Sequence, residues 1–298
     1  MPPPDVDLIG QVQVVAARHE DTLLDIARRA GLGYNEIKMA NRGVDPWMPG
    51  EGVQVALPTR HILPMAPRSG IVINLPEMRL YHYLPASGGI PQVATYPISI
   101  GRFDWRSPLG MTQITQKVPN PSWTPPESIR IEHAAKGDIL PPVVPAGPDN
   151  PLGQFALRLG LPGYLIHGTN RPYGIGMRVT HGCLRLYPEN IATLFQQVTP
   201  GVKVNFISQP YKIGQAFGVT YLEAHHPLKE EKGRKEGALG EIARLLAQRG
   251  VSTSEVDWDA VRQEIARPTG MPVPISRPDD VLLLDASAET EGLLTARR

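Results

Sequence analysis

Nine prolines fall between Pro119 and Pro151, counting both ends, and they restrict the chain more than any other feature. Proline fixes φ and donates no backbone hydrogen bond, so this stretch is expected to join neither a sheet interior nor a regular helix. It is too long for a plain connector, and long ordered loops in compact domains are often lids or binding loops. Residues 119–151 therefore read as a flap over a cleft. With 32 prolines and 29 glycines in 298 residues, the whole chain points to a β-rich, loop-rich body.

The segments on either side of the flap supply that body. Residues 71–74, 79–84, 93–100, 110–118, 164–167 and 202–207 are rich in β-branched and aromatic side chains. Val202, Val204 and Phe206 alternate with Lys203 and Asn205, the pattern of a half-buried strand. The clearest helix runs from Pro188 to Gln197, with proline in its first turn and Ile191, Leu194 and Phe195 on one face. The fold class expected is mainly β with α/β elements, a mostly antiparallel sheet bent into a sandwich or barrel over residues 63–210.

Two smaller parts flank it. Residues 1–62 contain a βααβ pattern: a strand at 12–15, a helix at 21–29 capped by Asp21 or the residue before it, a helix at 35–40 and a strand at 52–58. Residues 211–298 begin with a returning strand at 219–224. A charge run at 229–236 and helices at 238–248 and 255–265 follow, with a weak final helix inside 267–298.

A net charge of +1 and 20% charged residues leave no footprint for nucleic acid, and no apolar run approaches the roughly 18 residues of a membrane span. One cysteine excludes an intrachain disulfide. That cysteine, Cys183, lies in Thr180-His181-Gly182-Cys183-Leu184-Arg185, 16 residues after the histidine of Tyr164-Leu165-Ile166-His167-Gly168-Thr169 (183 − 167). A lone thiol near two imidazoles is what cysteine acyl transfer needs: the thiolate attacks, and histidine takes the proton. The same three side chains offer zinc ligands as an alternative, though no further metal signature accompanies them. Papain-like peptidases place the cysteine before the histidine, the reverse of the order here.

His-Gly-Thr, a short gap, then Thr-His-Gly-Cys-Leu-Arg resembles the active-site signature of the L,D-transpeptidase (YkuD-type) family. The likeness is greatest to the periplasmic branch that attaches the murein lipoprotein to peptidoglycan. Gly70-Ile71-Val72-Ile73-Asn74, Glu77-Met78-Arg79-Leu80-Tyr81 and the run Val144 to Gly153 look like that branch too. Asp21-Thr22-Leu23, Ile26-Ala27 and Leu57-Pro58 resemble a LysM module, which binds glycan strands of peptidoglycan or chitin.

The resemblance implies a tetrapeptide stem as donor, acylation of Cys183 with release of the terminal D-alanine, and no cofactor. The acceptor is then a lysine of an envelope lipoprotein or the amine of another stem, giving a 3→3 crosslink. Water as acceptor would make the enzyme an L,D-carboxypeptidase, and a non-catalytic wall-binding protein is the alternative of a different class. Carbapenems are implied as covalent inhibitors. His167 is expected as base, oriented by the carbonyl of Gly168, with a thiolate–imidazolium pair pulling the thiol pKa well below its free value. His181 is expected to polarise the substrate or support the oxyanion pocket rather than to act as the base, with the N–H groups of Gly182 and Cys183 as candidates for the oxyanion hole. Arg185 is expected to hold a substrate carboxylate, with Thr169, Asn170, Tyr173 and Thr180 on the substrate side and Arg178 lining the same cleft. A periplasmic enzyme is implied, yet Met1-Pro2-Pro3-Pro4-Asp5-Val6-Asp7 has neither a basic n-region nor an apolar h-region, which conflicts with that location and keeps a cytoplasmic one as the alternative.

Overall fold

The hydrophobic strands between the flanking parts gather into one eight-stranded sheet, and the helices pack around it. The computed structural model describes residues 6–88, 90–231 and 237–276. The N-terminal part is β1 (Gln13–Ala16), α1 (Leu23–Arg29), α2 (Tyr34–Ala40) and β2 (Gln54–Leu57), with β1 and β2 antiparallel. The cap of α1 is Thr22 rather than Asp21. Thr22 Oγ1 accepts from the Asp25 N–H at 3.2 Å while Asp25 Oδ2 accepts from the Thr22 N–H at 3.0 Å, a reciprocal capping box. Asp21 instead pairs with Arg29 at 2.7 Å. Leu23, Ile26, Ala27, Leu32, Ile37, Val55 and Leu57 form the small core of this unit.

The unit is seated firmly on the larger body. Glu36 of α2 pairs with the buried Arg79 at 2.6 Å, and Tyr187 donates its hydroxyl to the Leu32 carbonyl at 3.1 Å. The N–H of Tyr34 donates to Ile175 O at 3.0 Å. Gly33 and Gly176 meet backbone to backbone: a Cβ on Gly33 would stand 2.6 Å from the Gly176 Cα.

The sheet consists of β3 (Gly70–Asn74), β4 (Arg79–Ser87), β5 (Ile90–Pro97), β6 (Gly110–Pro119), β7 (Phe155–Leu159), β8 (Leu165–His167), β9 (Leu184–Arg185) and β10 (Lys203–Ile207). Its order is β9-β8-β7-β6-β10-β3-β4-β5. Five neighbouring pairs are antiparallel, and β8–β9 and β10–β3 are parallel. The sheet curls until its two edges meet: Ser99, just past β5, and Arg185 of β9 exchange backbone bonds at 2.9 and 3.2 Å, so the expected sandwich or barrel takes the form of one curled layer drawn together at that bridge. Ile71, Ile73, Leu80, Ile114, Leu157, Ile166, Val204 and Phe206 make its core. The helix at Pro188–Gln197 has the expected bounds and presses Ile191 and Leu194 into that core.

The flap holds a helix, Glu127–Ala134, that its proline content had argued against. The prolines cluster at 119–126 and 141–151, which leaves the stretch between free to coil, and Pro126 stands immediately before the first helical residue. The flap base is tied by paired backbone bonds between Trp123 and Val144, both 2.8 Å, and by Asn150, whose amide donates to Pro121 O at 2.8 Å.

After the sheet, β11 (Tyr211–Ala216) and β12 (Val219–Ala224) form a hairpin, covered by helices Ala238–Gln248 and Trp258–Ala266. The expected charge run begins with a single helical turn at Lys229–Glu231, and its remainder, 232–236, lies outside the described residues. Val273–Pro274 adds a short strand to β12, and the rest of the expected final helix also lies outside the described residues. Among the described residues no helix is long and apolar enough to cross a membrane.

One ionic cluster is sealed where this hairpin meets β3, β4 and the short strand His61–Ile62. Lys212 Nζ lies 2.9 Å from Glu77 Oε1 and 2.7 Å from Glu223 Oε1, all three side chains fully buried. The ammonium also donates to Ile62 O at 2.7 Å. Glu223 Oε2 accepts from the Ile62 N–H at 2.6 Å, its Oε1 meets His225 Nε2 at 2.7 Å, and Tyr81 donates its hydroxyl to Glu77. Among the described residues, His61, Glu77 and Glu223 bring three potential ligand atoms within 4.8 Å of one another, but the Lys212 ammonium already fills the cation position between the two carboxylates.

Candidate active site

Parallel pairing of β8 and β9 is what joins the two halves of the motif. Ile166 stands opposite Leu184 and His167 opposite Arg185, and the Leu186 N–H donates to His167 O at 2.9 Å. Cys183, immediately before β9, thereby falls level with Leu165 at the start of β8, two positions from His167 along the strand, and both side chains line the same cavity. A cavity of about 1060 Å³ opens there, lined by Cys183, His167, His181, Thr180, Asn170 and Arg185. Trp123, Ile129 and Leu140 of the flap form its opposite wall.

His167 is buried at the end of its strand, and its Nδ1–H donates to the Gly168 carbonyl at 2.7 Å. That bond leaves Nε2 unprotonated and able to accept a proton. Burial, reinforced by the Arg185 guanidinium, pushes His167 down to about 3, so the ring is neutral at pH 7. Any Cβ at Gly168 would come within 3.1 Å of Ile191 and 3.3 Å of Leu152 O, so glycine keeps the carbonyl close to its own histidine.

The thiol departs from expectation. Cys183 Sγ donates to Gly163 O at 3.5 Å, and burial pushes its pKa up, only partly offset by the Leu165 N–H and Arg185. With neither histidine hydrogen-bonded to sulfur, the expected lowered pKa is corrected: the resting pair is thiol and imidazole, not thiolate and imidazolium. Catalytic hydrogen bonds often tighten only around substrate, so this is a resting geometry and does not disqualify the pair.

The turn before Cys183 is held on several sides. Thr180 donates its hydroxyl to Cys183 O at 2.6 Å, and Ser107 donates to Gly182 O at 2.9 Å. Gly182 has φ of +98°, a conformation that costs an L-residue strain. Among the described residues the N–H groups of Gly182 and Cys183 donate to no protein acceptor, which leaves both open to a developing oxyanion.

Arg185 is the other open group. Among the described residues its buried Nε has no hydrogen-bond partner and no carboxylate pairs with it, and burial with Arg171 nearby lowers its pKa. Such a guanidinium fits a ligand carboxylate. His181 faces the flap: its Nε2 lies 2.9 Å from Glu132 Oε2, and the Trp105 ring meets it edge-on at 5.0 Å.

Several expected residues do other work. The hydroxyl of Thr169 accepts from the Arg171 N–H at 2.9 Å and shapes the loop instead of lining the cavity. Tyr173 is 69% exposed and outside the cavity wall. Arg178 turns away to pair with Glu230 at 2.7 Å. Asn170 does line the cavity, its amide bonded to Asp149 O at 3.0 Å. The zinc alternative does not converge, because the grouping of potential ligands described above is His61, Glu77 and Glu223, and His181 is taken by Glu132. Trp105, Trp123, Glu132 and Arg171 escaped the sequence reading. Aromatic residues in two Pro/Gly-rich loops were the available signal for the tryptophans, and nothing local marked the other two.

Comparison with known proteins gives the family. A family model for the YkuD L,D-transpeptidase catalytic domain matches residues 68–206. The probable L,D-transpeptidase YcfS of Escherichia coli K12 is 40% identical over 283 residues, covering 93% of this chain and 88% of that one. The probable L,D-transpeptidase YbiS of the same strain is 38% identical over 274 residues, 89% and 88% of the two chains. Among solved structures, L,D-transpeptidase 3 from Mycobacterium tuberculosis aligns with 52% of this chain and 67% of its own, at 16% identity and a TM-score of 0.35. With such identity to YcfS over almost its whole length, this chain belongs to the YkuD family of L,D-transpeptidases.

Proposed function

We propose that the enzyme acylates itself at Cys183 with a peptidoglycan tetrapeptide stem and passes the acyl group to an amine. The observation that carries this reading is the convergence of Cys183, neutral His167 and unpaired Arg185 on one flap-covered cavity. Arg185 binds a stem carboxylate. Its charge and the approaching carbonyl bring the thiol proton to His167 Nε2, and sulfur forms a C–S bond at the third residue. The C–N bond to the terminal D-alanine breaks, and the amine leaves with the proton held by His167. The N–H groups of Gly182 and Cys183 bear the oxyanion in both steps. An acceptor amine then loses a proton to His167, forms the new C–N bond and expels the thiolate.

The acceptor is a lysine of an envelope lipoprotein or the side-chain amine of a second stem, and the reaction takes place in the periplasm. The β1-α1-α2-β2 unit is a LysM-like glycan reader, a role supported by its element order and by Trp47, 62% exposed beyond α2.

Intact-protein mass spectrometry after incubation with a carbapenem tests the central step. One adduct on the native chain and none on Cys183→Ala is the expected result; folded native protein without adduct would overturn it.

A further inference from the structure

Glu132, on the flap helix, is held by four hydrogen bonds from three basic side chains. Its carboxylate receives Arg102 Nη1 and Nη2 at 3.0 and 2.8 Å, Lys136 Nζ at 2.7 Å and His181 Nε2 at 2.9 Å. Arg102, in turn, belongs to the frame of the active-site turn, since its N–H donates to Thr180 O at 3.0 Å. Trp105 and Ser107, in the same short segment, support His181 and Gly182. A flap carboxylate has therefore been inserted between two elements that hold the nucleophile.

That insertion has two chemical consequences. With Nε2–H given to Glu132, a neutral His181 keeps Nδ1 as an acceptor, while an imidazolium would offer Nδ1–H as a donor. Burial pushes His181 below its ordinary value, and the Glu132 carboxylate opposes this, because an opposite charge within hydrogen-bond distance stabilises the imidazolium. The charges facing the pair are Arg102, Lys136 and Arg185, with Asp104 behind Arg102 at 3.6 Å.

We propose that Glu132 is a positioning residue: it orients His181 through Nε2 and so couples closure of the flap to completion of the Cys183 site. The catalytic consequence rests on the reading of Cys183 as the nucleophile, but the coupling itself does not. Opening the flap withdraws the carboxylate and releases the imidazole, so the site is complete only while the flap covers its contents.

The test uses full-length Glu132→Gln and Glu132→Ala beside Lys136→Ala as a neighbouring control. The ring nitrogens of His181 are followed by NMR across pH, assigned with His181→Asn, and amide exchange is followed over 127–134. Glu132→Ala should displace the His181 signals and raise exchange of the flap helix roughly tenfold or more, the equilibrium equivalent of one hydrogen bond to a charged group. His181→Asn should loosen the same helix. Glu132→Gln, which can still accept the Nε2–H, should restore the flap protection while lowering the His181 titration midpoint. Acylation of Cys183 by a carbapenem should slow about 10- to 100-fold in Glu132→Ala, the scale on which misplacing a catalytic group costs rate, with Lys136→Ala near native. His181 signals unmoved in both Glu132 variants would overturn the proposal. Moved signals without acylation of the native chain would uphold the coupling and sink the nucleophile reading instead.

Discussion

The sealed cluster around Lys212 and the open cleft around Cys183 are built from the same kinds of groups and come to opposite states. In the first, every carboxylate oxygen and ammonium proton finds a partner inside the protein, from β11, β12, the loop before β4 and the strand at 61–62, and His61 Nδ1 is its one group left without a hydrogen bond among the described residues. In the second, a guanidinium, two amide N–H groups and an imidazole nitrogen are left unspent. Burying polar groups without partners is costly, so a fold that keeps several of them side by side holds them for something it binds. The contrast separates structural polarity from chemical polarity without reference to either motif.

Breaking the sealed cluster should have the largest effect. Lys212→Ala leaves Glu77 and Glu223 buried as uncompensated charges and should cost about 3–5 kcal/mol in urea unfolding, while carbapenem acylation of the folded fraction continues. A loss below about 1 kcal/mol would show that water reaches the cluster.

Acid should loosen both regions in sequence. Glu223 is pushed up by burial, but Lys212 and His225 overcome this and hold it at about 2. Its folded pKa is depressed, so its stabilisation is present above the unfolded value of about 4.3 and is lost as pH falls from there towards about 2. His167 also has a depressed folded pKa, about 3, and the unfolded chain takes up that proton first, near pH 6.5. Stability should therefore begin to fall below about pH 6.5 and fall faster below about 4.3. Melting temperatures from pH 2 to 8 check this, and His167→Asn should flatten part of the upper limb, the rest coming from His61 of the sealed cluster, which burial also holds well below its ordinary value.

Substituting in the cleft should invert the pattern. Arg185→Met should leave the unfolding midpoint unchanged or raise it, because an unpaired buried charge is removed. The KM for a carboxylate-bearing stem should rise roughly 10- to 100-fold, the range for hydrogen bonds to a charged group. Equal loss of stability and binding would mean that Arg185 belongs with the structural cluster. Thr180→Val, which deletes the bond to Cys183 O, should be the mildest change, about 1 kcal/mol in stability.

The parts of this molecule legible in the sequence are those encoded over short range. The glycine-flanked motif, the helix at 188–197, the helix at 238–248 and the alternation of β10 needed only neighbouring residues. Glu132 illustrates why the rest was hidden: its partners in the site, Arg102 and His181, lie 30 and 49 residues away, and the prolines around it masked the helix that carries it. The strand Phe155–Leu159 was missed because five residues between two glycines give little periodicity. The raised thiol pKa follows from burial, which residue identities do not report.

The position of β10 bears on how this chain comes to be folded. A single bridge from Ser99 to Arg185 ties the far edges of β3-β4-β5 and β6-β7-β8-β9, while Lys203–Ile207 is the long seam between them, paired with Ile71–Asn74 on one side and Gly110–Gln113 on the other. Until it exists, two half-sheets each present a bare edge, the arrangement most prone to pair with strands of other chains. Such long-range closure is also slow, on the order of milliseconds to seconds. A nascent chain ending before Lys203 therefore has its active-site strands but no seam, and it is the species that a chaperone would need to shield.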